Sequence, residues 1–166
     1  MEEEMRKQLK KVVLALFVVG FVGTFSLSAN AAGPRDGEIV DGSLLTSEGS
    51  SEVRKDNLRR SGLISYSITS ITNRYNNGAI YLYGFNNTGS EVERLRVYLD
   101  LEKLVGNEWV PVFSEYGTKY DSNFFNYGLY VTISPGHYYR LSTITTAKQE
   151  AYTDAMEIST DGIFIG

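Results

Sequence analysis

Few side chains in this sequence have the capacity for chemistry. His137 is the single histidine, and it sits in the turn Ser134-Pro135-Gly136-His137. A Ser–His–Asp mechanism needs an imidazole as its base, so it would have to be built on this ring. Ser134 lies too near along a tight turn to present its hydroxyl in line, and no Gly-x-Ser-x-Gly elbow occurs. His137 therefore reads as a polar turn residue. Carboxylates pair at Glu91/Glu93 and at Asp100/Glu102, each pair on one face of a strand. Glycoside hydrolysis needs two carboxyls about 5–10 Å apart, but alternating acids along a strand read as solvated surface groups. Asp154, Glu157 and Asp161 offer oxygen ligands close together. Calcium takes about six to eight oxygens, and no Asp-x-Asp-x-Asp-Gly loop is present to supply them. The chain contains no cysteine, which removes thiol nucleophiles, thiolate zinc and iron–sulfur clusters. The expectation is a chain that is not an enzyme, with no catalytic residue, no metal ligand set and no cofactor.

The tyrosines are the more informative group: twelve are present, beside eight phenylalanines and one tryptophan. A phenol couples an apolar ring to a polar tip, which suits both half-buried strands and binding faces. Tyr81 and Tyr83 share one side of a strand, opposite Ile80 and Leu82. If Leu95 to Leu101 face a core, Tyr98 faces out. The same logic turns Tyr130 outward, opposite Leu129 and Val131. Tyr81, Tyr83, Tyr98 and Tyr130 are thus the binding candidates, a flat platform for a sugar chain or a protein partner. The competing reading is cross-strand ring pairing that only stabilises the sheet, at about 0.2–1 kcal/mol per pair.

Positioning these rings requires strands. From Gly62 the chain becomes a series of short β-like runs separated by turn residues. Ala79–Phe85 lies between Asn76-Asn77-Gly78 and Asn86-Asn87-Thr88-Gly89-Ser90, and both flanking segments read as turns. Leu95, Val97, Leu99 and Leu101 alternate with Arg94, Arg96, Tyr98, Asp100 and Glu102, the clearest period-two signal in the chain. Gly106-Asn107 turns the chain back into Trp109–Tyr116. Residues 117–123 read as a polar loop, Phe124–Ile133 as a strand, and Tyr138–Thr146 as another. Ala147–Asp154 reads as a loop or helical turn, before short strands at Met156–Ile158 and Gly162–Ile165. Six to eight short strands without helical periodicity predict an all-β fold, a two-sheet antiparallel β-sandwich of immunoglobulin-like or jelly-roll-like type.

The N-terminus carries Arg6, Lys7, Lys10 and Lys11, then the apolar run Val12–Phe25, then small residues through Ala32. That order predicts a secretory signal peptide helix over residues 1–31, with Ala29 and Ala31 at the spacing signal peptidase requires. Glu2, Glu3 and Glu4 depart from the usual basic start. An uncleaved anchor is the rival, though the apolar run is shorter than the roughly 20 residues a span needs, and Gly20 and Gly23 interrupt it. Membrane contact is expected only through this segment if it is retained. Residues 32–61 read as a flexible lead segment, with Ile39–Thr46 able to pack on a domain at 62–166. The net charge is −4, and past the N-terminal segment the bases are scattered, with Arg94/Arg96 and Arg59/Arg60 near one another. Nucleic acid, which needs a basic footprint, is excluded as a partner on this ground.

Val40-Asp41-Gly42-Ser43-Leu44-Leu45-Thr46, Ile71-Thr72-Asn73-Arg74, Ala79-Ile80-Tyr81-Leu82-Tyr83-Gly84, Asn107-Glu108-Trp109, Gly136-His137-Tyr138-Tyr139-Arg140 and Thr160-Asp161-Gly162-Ile163 follow one another in order. Together they resemble a family of small secreted proteins of Gram-positive bacteria known as a domain of unknown function. The resemblance implies an exported β domain and carries over no catalytic residue. The sequence thus points to a secreted, extracellular domain acting by surface contact on a protein or glycan partner at the cell surface. A carbohydrate- or cell-wall-binding module using the exposed tyrosines is the alternative.

Overall fold

The computed structural model describes residues 44–58, 62–73 and 78–166, all within one unit spanning 35–166. The signal segment with Ala29 and Ala31, the remainder of the lead segment and Asn76-Asn77 lie outside the described residues. Eight strands form: β1 (Leu45–Thr46), β2 (Ser50–Asp56), β3 (Ile64–Thr72), β4 (Ala79–Val105), β5 (Glu108–Thr132), β6 (His137–Gln149), β7 (Tyr152–Ser159) and β8 (Gly162–Ile165). The all-β expectation holds, with no helix among the described residues beyond a short turn at Leu44. All eight strands belong to one sheet, in the order β1-β8-β6-β4-β3-β2, with β5 on β4 and β7 on β6. Hydrogen bonding does not divide them into two sheets.

Two strands are much longer than the sequence suggests. The run 86–90, expected as a turn, and the run 117–123, expected as a polar loop, lie inside β4 and β5. Asn86, Thr88 and Ser122 are buried there. The Asn86 Nδ2 donates to the Thr146 carbonyl at 3.0 Å, and the Thr88 hydroxyl donates to the carbonyls of Ser90 and Asn123 at 2.8 and 3.0 Å. The pairing jumps from Asn87↔Phe124 to Val92↔Ser122, so residues 88–91 bulge against Asn123 alone. A bulge of this kind bends the strand pair, and Asp121 takes up a left-handed φ of 48° beside it. Gly106, at φ 63°, makes the hairpin that joins the two long strands. The segment 147–154, expected as a loop or helical turn, completes β6 and opens β7 through a tight turn at Glu150–Ala151.

The bend folds the β4–β5 ribbon over itself. The first half of β4, with β3, β2 and the second half of β5, makes one layer. The second half of β4, with β6, β7, β8, β1 and the first half of β5, makes the other. Their inner faces meet closely. Ser67 and Thr145 hydroxyls lie 2.7 Å apart, and those of Thr69 and Thr143 2.6 Å apart. A Cβ on Gly84 would stand 2.9 Å from Leu99 Cδ2, so the backbone approach there requires glycine. Ile71, Ile80, Leu82, Val97, Leu99, Leu101, Leu141 and Ile163 fill the space between. Ile64, Val92, Leu95, Ala147 and Ile158 form a second cluster near the bend.

Leu45–Thr46 and Ser50–Asp56, assigned by the sequence to the lead segment, are strands of this sheet. β1 pairs in parallel with β8, and β2 pairs antiparallel with β3 over its whole length. β2 carries Val53 as its single large apolar side chain because it forms an edge; its pairing is mainly through the backbone. Side chains carry it to the far edge of the sheet: Lys55 Nζ donates to the Glu157 carbonyl at 3.0 Å, and the Asp161 amide donates to Ser51 Oγ at 3.1 Å. The sheet is thereby nearly closed.

Candidate aromatic binding faces

Register decides which rings meet. Across the first layer, Thr72 stands beside Tyr81 and Tyr81 beside Tyr130; Ser70 stands beside Tyr83 and Tyr83 beside Gly128. Two rows further, Ile68 neighbours Phe85 and Asn87 neighbours Phe124. Side chains alternate along a strand, so all of these point away from the core. The Tyr81 and Tyr130 rings are 4.9 Å apart, and the Tyr81 and Tyr83 rings 6.4 Å apart. A Cβ on Gly128 would run into Tyr81 Oη and come within 2.8 Å of Cζ, so the Tyr81 ring lies flat across bare backbone. Tyr66 stacks on Phe85 at 5.6 Å, and Phe85 on Phe124 at 6.5 Å. Cations border the group: the Arg54 guanidinium lies 3.8 Å from the Tyr66 centroid and Lys119 Nζ 4.3 Å from that of Phe124, distances at which the ring face attracts a cation. Burial, with Tyr81, Glu52 and Tyr66 close by, raises the Tyr83 hydroxyl above its ordinary value.

Three of the four tyrosines expected to bind therefore share a face: Tyr81, Tyr83 and Tyr130. Tyr98 does not join them. It lies on the outer face of the second layer, stacked on its cross-strand partner Tyr116 at 5.4 Å. The fold between the halves of β4 separates it from the other three. Tyr66, Phe85 and Phe124 extend the first face and escaped the reading of the sequence. Phe85 has the parity of Tyr81 and Tyr83, and Phe124 that of Tyr130, so alternation alone would have placed them.

The other chemically capable groups have structural partners. His137 stands edge-on to Tyr139 with ring centroids 6.4 Å apart, and the Tyr139 hydroxyl donates to the Ser134 carbonyl at 2.7 Å. Asp154 is buried. It accepts from the Ile64 amide at 3.1 Å, the Ala155 amide at 3.0 Å and Asn57 Nδ2 at 3.4 Å, pinning β3 to β7. Among the described residues no group of three histidine or carboxylate side chains stands together. Glu102, expected as a solvated acid, is buried and ion-paired with Arg140 Nε, its cross-strand partner. Pairing with β6 runs through Leu101 and Glu102 without a shift, so Glu102 keeps the side opposite Leu101; the buried Trp109 ring lies 4.7 Å from the guanidinium that Glu102 pairs with. Asp100 stays on the outer face, accepting from the Ser114 hydroxyl. An open cavity of ≈ 460 Å³ lies between Phe113, Val131, Ile133 and Tyr139, with Lys103 as its one charged wall. No family model matches the chain, and no curated protein proves similar to it.

Proposed function

We propose that this is an exported, non-enzymatic binding domain that works by surface contact through the face bearing Tyr81, Tyr83 and Tyr130. One observation carries the reading: six aromatic side chains, drawn from β3, β4 and β5, assemble on the outer side of a layer that has no need of them for its core. Tyr130 is 51% exposed and Phe124 45%. Contiguous exposed apolar surface of this kind marks interaction sites in soluble domains. Export is supported by the basic, apolar and small-residue order of residues 6–31, with cleavage after Ala31. Membership in the secreted Gram-positive family is supported by the ordered motifs from Val40 to Ile163. The close inner contacts between the two layers support treating the folded sheet as a working β-sandwich.

A specific feature favours a glycan or cell-wall polysaccharide as the partner. The rings alternate with hydrogen-bonding neighbours in the register, Thr72 and Ser70 on β3, Asn87 on β4, Asn126 and Thr132 on β5. Rings to lie against sugar carbons, interleaved with amides and hydroxyls, suit a polyhydroxylated chain. The test is retention of the purified protein on a panel of immobilised polysaccharides and cell walls, beside a Tyr81→Ala/Tyr130→Ala variant. Retention abolished in the variant supports the sugar reading. Retention on no member of the panel would turn the contact surface over to a protein partner.

A further inference from the structure

The second outer face carries a different chemistry. Arg94 and Lys148 are direct cross-strand partners on β4 and β6, and Arg96 follows Arg94 on the same side. Tyr120 flanks Arg94 and Tyr116 flanks Tyr98 on β5. The sequence showed only the Arg94/Arg96 pair; folding brings a third cation beside it, in a chain whose net charge is −4. Like charges set directly opposite in a ladder repel one another, so the arrangement needs a reason.

The partners of these cations are few. Lys148 Nζ is 3.6 Å from Glu93 Oε2, a half-exposed pair. Among the described residues no carboxylate pairs with Arg94 or Arg96. The Arg96 Nη1 donates to the Tyr98 hydroxyl at 3.1 Å, its guanidinium lies 5.7 Å from the Tyr116 centroid, and its buried Nε has no acceptor. The nearby acids lie to one side: Asp100 on the row beyond Tyr98, engaged by Ser114, and Glu157 beside Ile144. Around the cations stand the hydroxyls of Thr118, Thr146 and Thr153, and the rings of Tyr116 and Tyr120, both more than half exposed.

We propose that Arg94, Arg96 and Lys148, with Tyr98, Tyr116 and Tyr120, form a binding site for an acidic sugar chain, one that carries carboxylate or phosphate groups. Guanidinium forks recognise both oxyanions, the phenol rings lie against sugar faces, and the threonines supply donors and acceptors for ring hydroxyls. A peptide acid is the poorer fit. β4 and β6, which carry the cations, are paired on both edges here, so main-chain bonds to an extended peptide are open only at the outer edges of β5 and β7, away from the cations. This site is separate from the Tyr81 face and does not depend on it.

The test is calorimetric titration of the purified protein with oligogalacturonate, dextran phosphate, plain dextran and polyglutamate. The two acidic glycans separate carboxylate from phosphate recognition. Binding of at least one of them is expected, weakening with added salt and falling about tenfold or more in Arg94→Gln/Arg96→Gln, the scale of losing charge-assisted hydrogen bonds. Lys148→Gln is the independent variant if the double substitution alters the melting curve. Tyr81→Ala/Tyr130→Ala is expected to leave this binding unchanged. Binding of neither acidic glycan, equal binding of plain dextran, binding of polyglutamate as tight as the glycans, or indifference to both substitutions overturns the proposal.

Discussion

Replacing Glu102 by glutamine is the sharpest perturbation of the fold. The Glu102 and Arg140 side chains are 5% and 4% exposed, paired across β4 and β6 through Arg140 Nε. The guanidinium lies 4.7 Å from the centroid of the Trp109 ring, which is itself buried. Glutamine keeps the shape and a carbonyl acceptor but removes the carboxylate charge facing a buried guanidinium that lies against an indole. Breaking a buried pair from one side costs about 3–5 kcal/mol. Domains of this size are stable by only about 5–15 kcal/mol, so a large share of the total is lost, with a fall in Tm on the order of 10–20 °C. Thermal and urea melts followed by circular dichroism read this directly. The companion variant Glu102→Met/Arg140→Leu removes both charges and is expected to recover most of the loss, because apolar replacement of a whole buried pair is often neutral or stabilising. A cost below about 1 kcal/mol for Glu102→Gln, in the range of exposed pairs, would refute the reasoning.

Two further outcomes follow from the geometry. Gly128→Ala is expected to push the Tyr81 ring off the strand, since the new Cβ meets the end of that side chain and not the core; ligand retention falls while the melting temperature moves by less than about 1 kcal/mol equivalent, as for surface substitutions. Burial holds the hydroxyls of Tyr83, Tyr127 and Tyr139 above their ordinary value. A raised folded-state value means that the native protein keeps protons the unfolded chain would release. The stability from this source is intact below about pH 10, the unfolded tyrosine value, and is lost as pH rises through the folded values. Absorbance at the tyrosinate band during alkaline titration is expected to show a late fraction that ionises together with unfolding; a single uniform transition near the unperturbed value contradicts it.

Much of the fold was legible because alternation survives folding. Leu95, Val97, Leu99 and Leu101 face inward, and Tyr81, Tyr83 and Tyr130 face outward, as period two requires. The bend was not legible. Asn86–Ser90 and Gly117–Asn123 carry turn residues, and nothing local distinguishes a hairpin from a bulge inside two strands that continue past it. That distinction rests on Asn86 and Thr88 finding acceptors on the neighbouring strands, at Thr146 and Asn123. The assignment of β2 failed for a related reason: an edge strand held by backbone pairing needs few apolar side chains, and Ser50–Asp56 shows only Val53. Glu102 was misread because alternation gives only its side, and its burial comes with Arg140 and Trp109, which the sequence does not place beside it. Of the site, the parity of each tyrosine was readable, but not which rings share a face. Tyr98 parted from the others because the bulge lies between it and Tyr83, and Lys148 joined Arg94 only through the β4–β6 pairing.

The claim that the Tyr81 face is the contact surface is tested most directly by comparing three proteins on neutral polysaccharides, where the cationic face has no charge to recognise: wild type, Tyr81→Ala/Tyr130→Ala and Tyr98→Ala/Tyr116→Ala. Retention of the wild type and of the Tyr98/Tyr116 variant, with loss in the Tyr81/Tyr130 variant, is the expected result. Retention of the Tyr81/Tyr130 variant at the wild-type level, or loss confined to the Tyr98/Tyr116 variant, would contradict it.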